Sequence, residues 1–185
     1  MASVVDISNL ALLRVGAEPI ISMADANNRA RACNLAWPFV RKTVLRSHSW
    51  NSATVRTQIA PLATAPEWGF ATAYAVPADF LHISEVDMVA DWRVENGEIL
   101  TDATGTLNVR YTKDETDTEK YDGSLTTVMA LRLAVEIVER LTNSGPKKNV
   151  LLQEYSAALM EAKIDDGQEQ SPAEFEEDDW ITSRY

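Results

Sequence analysis

Cysteine is almost missing from this chain of 185 residues, which carries one, Cys33. A single thiol excludes an intrachain disulfide and a metal site built from several cysteines, so stability must come from packing. Histidine is scarce as well. His48 sits in Ser-His-Ser-Trp at a predicted helix end and His82 in a predicted strand, and neither belongs to a local ligand pattern such as His-Glu-x-x-His. No apolar run is long enough to span a bilayer, and the N-terminal segment lacks the basic stretch of a secretory signal, which points to synthesis and retention in a cytosol. The chain also lacks a Gly-x-Ser-x-Gly elbow, a phosphate-binding loop and a dinucleotide glycine pattern.

Positive charge is in deficit, with 17 Lys and Arg against 28 Asp and Glu, a net charge of -11. That balance argues against a broad, sequence-independent grip on nucleic acid, whose affinity comes largely from Lys and Arg displacing counterions. The deficit is uneven. Residues 1–56 carry 7 basic and 3 acidic side chains, residues 57–113 carry 3 and 8, and residues 114–185 carry 7 and 17. Copies could therefore meet basic face to acidic face, a heterologous contact that builds rings when the rotation closes; a solvated acidic surface without a partner is the plain alternative.

The hydrophobic fraction of 45% supports one sizeable core with room for a small subdomain. Residues 7–15 read as a short helix capped by Asp6 or Ser3 and stopped by Gly16. A longer helix is expected from Asp25, acting as its cap, to about His48. Ala26, Ala30, Cys33, Trp37, Val40 and Val44 line its buried face, and Pro38 kinks it without ending it. Residues 53–113 are rich in β-branched residues, prolines and turn signals. Asn96-Gly97 suits a two-residue hairpin turn, and a small antiparallel sheet is expected. Residues 125–141 are apolar nearly all round, which makes that helix central. Ser144-Gly145-Pro146 precedes a last amphipathic helix to about residue 164, with Leu151, Tyr155, Leu159 and Ala162 inward.

These elements predict an α+β, mainly helical chain: a four-helix bundle-like core from residues 1–52 and 114–165, an inserted β-rich region at 53–113, and an acidic C-terminal arm at 166–185. The arm ends Glu-Glu-Asp-Asp-Trp-Ile-Thr-Ser-Arg-Tyr. No constellation for catalysis, cofactor or metal emerges. Asp114, Glu115, Asp117 and Glu119 form the densest acid cluster and read most simply as a polar loop without calcium-loop spacing. Arg31, Arg41, Lys42 and Arg46, on the polar side of the second helix, are the candidate basic face for neighbouring-subunit contacts.

The order of several short motifs resembles the tail tubular protein A type of head-to-tail adaptor of short-tailed bacteriophages. The carriers are the Gly-x-x-Pro turn of Gly16 to Pro19, the exit Arg46-Ser-His-Ser-Trp-Asn51, and the element Val76-Pro-Ala-Asp-Phe-Leu81. The hairpin of residues 94–100, the strand Leu107-Asn-Val-Arg-Tyr111 and the helix entry Tyr121-Asp-Gly-Ser-Leu125 complete the series. The resemblance spans roughly residues 5–165 and implies a non-enzymatic structural protein. Its expected setting is a dodecameric ring beneath the portal protein at the virion's head-tail junction, with the tail nozzle protein attached. DNA would pass through the lumen without sequence-specific binding, and no cofactor or membrane is implied. In similar adaptors a C-terminal arm reaches the portal, which makes Trp180, Ile181, Arg184 and Tyr185 the candidate anchors. Arms that order on docking imply a monomer in isolation. Two other readings stay open: a virion-associated peptidoglycan hydrolase, because acidic pairs are abundant, and a stopper or tail-completion protein of the neck.

Overall fold

The computed structural model describes residues 2–87 and 90–169. The first helix, α1 (Val4–Val15), is set by its ends. Ser3 and Asp6 form a reciprocal capping box, and Gly16 takes a left-handed φ of 75° that releases its N–H to the carbonyls of Leu12 and Leu13. The following turn is pinned by Asn9, whose amide donates to Ile20 O at 3.0 Å while its Oδ1 accepts from Ile20 N–H at 2.8 Å.

The second helix, α2 (Asn28–Arg46), starts two residues later than expected, because Asn27 rather than Asp25 caps it. The Asp25 carboxylate instead accepts from the backbone N–H groups of Ile21 and Ser22, closing the turn before the helix. Pro38 lies inside α2, which continues through it. Ala30, Cys33, Trp37, Val40 and Val44 are buried, whereas Ala26, lying before the helix begins, is exposed.

Between the helical segments run β1 (Thr54–Ile59), β2 (Thr72–Ala75), β3 (Phe80–Val86), β4 (Trp92–Glu95), β5 (Glu98–Thr101) and β6 (Leu107–Lys113). They form two antiparallel three-stranded sheets, ordered β1-β6-β3 and β2-β5-β4. The β4–β5 turn uses Asn96 and Gly97 at φ 49° and 78°, the two positive angles that a tight hairpin of the right twist requires. Tyr74 and Ile99 of one sheet and Ile83, Leu107, Val109 and Tyr111 of the other bury one another in a shared core.

Two helices follow, α3 (Gly123–Thr142) and α4 (Gly145–Gln168). Asp122 caps α3, accepting from Leu125 N–H at 2.6 Å. The α3 side chains are buried on nearly every side, from Leu125, Val128 and Met129 to Leu133, Ile137 and Val138. Lys147, in the first turn of α4, donates to Val15 O at 2.6 Å and so ties the end of α1 to the start of α4.

This arrangement corrects the expected four-helix bundle-like core with one small inserted sheet. The fold is α+β, with four helices and two three-stranded antiparallel sheets. A bundle needs each helix to share one interior with two neighbours. Here α1, α2 and α4 pack chiefly on different sides of α3, which is apolar enough all round to serve as their common axis. Of α4 only Leu151, Ala162 and Asp166 are fully buried, too narrow a seam for a bundle corner. The inserted segment has enough alternating apolar residues to build a core of its own between two sheets.

Candidate functional site

The four basic residues expected to face a neighbouring subunit have different fates. Arg41 turns inward and makes a two-pronged ion pair with Asp114, Nε to Oδ1 at 2.7 Å and Nη2 to Oδ2 at 2.9 Å. Both side chains are largely buried, and the pair joins α2 to the loop after β6. Arg46 donates through Nη1 to the carbonyl of Leu81 on β3. Lys42 stays more than half exposed, 3.8 Å from Asp114. Arg31 is exposed and makes no ion pair or side-chain hydrogen bond among the described residues. Two of the four thus fasten helix to sheet, while Arg31 and Lys42 keep their charge toward solvent.

Between those two cations lies a feature that the sequence reading passed over. Leu35 and Phe39 project from α2 with 65% and 71% of their surface exposed. They border a shallow groove with Ala32 and Ala36 of α2 and Glu136, Ile137 and Arg140 of α3. The helical spacing 31, 35, 39 and 42 puts an apolar centre between two basic ends on one outward stripe. The signal was present in the sequence, since neither residue belongs to the buried set of Cys33, Trp37, Val40 and Val44, and two large apolar side chains had no assigned interior.

The acid cluster of residues 114–119 separates into distinct roles. Asp114 pairs with Arg41, and Asp117 caps a short 3-10 turn by accepting from Glu119 N–H at 3.1 Å. Glu115 is 4% exposed and lies 2.8 Å from Lys120 Nζ and 2.9 Å from Lys113 Nζ. Burial alone would raise its pKa. The two ammonium groups and the Asp117 N–H outweigh that effect and hold it at about 2, below the ordinary 4.5. A carboxylate with a depressed folded-state pKa stabilises the fold fully above its unfolded value, and the contribution disappears as pH falls through the folded value. Glu115→Gln is therefore expected to cost about 2 kcal/mol at pH 7, allowing for the half-exposed Lys120, and to cost almost nothing near pH 2. Urea unfolding of both proteins between those pH values reads this directly; a pH-independent difference would remove Glu115 as the source.

The remaining sequence candidates are accounted for in structural terms. His48 Nε2 lies 3.0 Å from Asp166 Oδ2, and Asp166, buried near the end of α4, also accepts from the Asn51 N–H at 2.9 Å. These bonds dock the end of α4 on the α2–β1 connection. His82 is exposed on β3. Cys33 is fully buried, and that burial pushes its thiol pKa up, away from the reactive thiolate. Among the described residues no group of three or more His, Cys, Asp and Glu could hold a metal ion. Trp180, Ile181, Arg184 and Tyr185, the expected arm anchors, lie outside the described residues. Neither a protein-family model nor a curated protein matches the chain.

Proposed function

We propose that this protein is a structural head-to-tail adaptor of a bacteriophage, non-enzymatic, which assembles as a ring beneath the portal and passes DNA to the tail through its lumen. The observation that carries the reading is the α2 stripe. Leu35 and Phe39 stand in solvent beside an open groove, flanked by the exposed cations Arg31 and Lys42. A paired apolar patch with charged ends suits a contact between copies, where the other copy's acidic C-terminal half supplies the complementary charge. Further support comes from where the motifs of the resemblance fall. Gly16 ends α1, Trp50 closes the exit of α2, Pro77 to Leu81 lead into β3, Asn96-Gly97 make the hairpin and Asp122 starts α3. Each is a joint on which the path of the chain depends.

In this reading the C-terminal arm anchors on the portal through Trp180, Ile181, Arg184 and Tyr185, with the nozzle protein bound on the far side. One buried aromatic side chain contributes about 2–3 kcal/mol before ordering costs, so a single arm binds weakly and a ring of arms gains by avidity. The protein alone is then a monomer.

Sedimentation and negative-stain imaging with and without the cognate portal test this. Rings are expected only on the portal, and only while residues 172–185 are present. Leu35→Asp combined with Phe39→Asp is expected to abolish the rings yet change stability by no more than about 0.5 kcal/mol, because both side chains are exposed. Failure of the intact chain to associate with intact portal overturns the adaptor reading. Rings formed normally by the double variant overturn the α2 stripe as the contact.

A further inference from the structure

The outer face of the β1-β6-β3 sheet is polar in cross-strand rows. In one row Gln58 faces Asn108; Gln58 Nε2 donates to Asn108 Oδ1 at 2.8 Å, and Asn108 Nδ2 donates to Asp87 Oδ2 at 3.1 Å. The adjacent row is unbalanced. The register sets Arg56 directly opposite Arg110, and Arg110 opposite Glu85. Like charges opposite one another on a sheet face are destabilising. Glu85, 3.2 Å from Arg110, offsets one of the two guanidinium groups. Arg56 makes no hydrogen bond or ion pair among the described residues.

Arg56 borders a cleft of 540 Å³ between this sheet face and the α2–β1 connection, lined by His48, Ser49, Asn51, Thr54, Arg56 and Arg110. Among the described residues no carboxylate lines it, in a chain whose net charge is -11. The acids beside its lining residues are engaged, Asp166 with His48 and Glu85 with Arg110, while Glu169 Oε2 accepts from Asn51 Nδ2 at 3.5 Å. Ser49 Oγ lies 2.7 Å from Ser84 Oγ. With Ser84 as donor, the Ser49 hydroxyl hydrogen is available to a ligand.

We propose that this cleft binds one phosphate group, as the free anion or as an ester. The planar fork of Arg56 matches two phosphate oxygens, the remaining Arg110 donors meet a third, and the anion relieves the arginine pair. The site takes a single phosphate and not an extended strand, because the adjoining cleft on the other side of Arg56 and Arg110, which both line it, carries Glu85 and Asp87. The proposal does not depend on the portal being the partner.

Calorimetric titration of the full chain with inorganic phosphate tests it. Saturable binding in the millimolar range or tighter is expected. Arg56→Gln should weaken it at least about tenfold, and Arg93→Gln, exposed on β4 of the other sheet, should leave it unchanged. Arg56→Lys, which keeps the charge and loses the fork, should fall between. A short oligonucleotide with a 5′ phosphate distinguishes the sources: tighter binding than free phosphate, lost without that phosphate, assigns the ester, and equal or weaker binding assigns the free anion. No saturable phosphate binding, affinity indifferent to Arg56→Gln in a variant with unchanged melting, or acetate binding as tightly as phosphate overturns the proposal.

Discussion

Trp50→Ala is expected to destabilise the protein by about 3–5 kcal/mol, among the largest effects of any single substitution in this chain. Trp50 is completely buried where α2 gives way to β1, and its Nε1–H donates to Val44 O at 3.0 Å. Its ring meets His48 edge-on at 4.9 Å between centroids, and its own carbonyl accepts from Thr54 Oγ1 at 2.7 Å. Truncation removes an aromatic volume from a corner held from three directions, so little collapse can refill the space. Trp50→Phe should cost far less, about 1–2 kcal/mol, since most of the volume remains and Val44 O still accepts from Ser47. Urea denaturation followed by circular dichroism measures both. A loss below about 1 kcal/mol for the alanine variant would mean that the corner is not the packed joint described.

Arg41→Ala is expected to cost about 2–3 kcal/mol, because it strands Asp114, whose side chain is 17% exposed, without its two-pronged partner. Lys42 at 3.8 Å is a poor substitute, lacking the planar fork. A double-mutant cycle with Asp114→Ala should return a coupling of about 1–2 kcal/mol, and the double variant should be less damaged than the sum of the single ones. The consequence reaches function. Charge reversal at Arg41 disturbs the joint between helices and sheet, so a loss of rings in that variant would report on folding. Reversal at Arg31 and Lys42 is the informative change at the subunit contact. An Arg41→Ala protein of normal stability that failed to assemble would return Arg41 to the outer face.

Which acid of residues 114–119 is buried was not legible in advance. Asp114 is defined by Arg41, 73 positions earlier, and Glu115 by lysines on either side of a turn whose geometry is set by packing. The Arg56 and Arg110 pair was equally hidden, since it follows from a β1–β6 register between strands about 50 residues apart. Asp25 and Asn27 show the limit at short range. Both can cap a helix, and the choice fell to Asn27 because the Asp25 carboxylate closes the preceding turn.

What the amino-acid order determined by itself is what acts over a few residues: the Ser3 and Asp6 capping box, the stop at Gly16, the Asn96-Gly97 hairpin, and the all-round apolar α3 that had to be central. It also determined the acidic balance and the scarcity of cysteine and histidine. Only the tertiary structure decided that three helices would wrap α3 instead of closing a bundle, that the inserted strands would make two sheets around their own core, and which charges would face inward. The reason is physical. Caps and turns are local contests between a side chain and the nearest backbone groups, whereas the partner of a charge or an apolar face is chosen from the whole chain by the burial available once the layers have met.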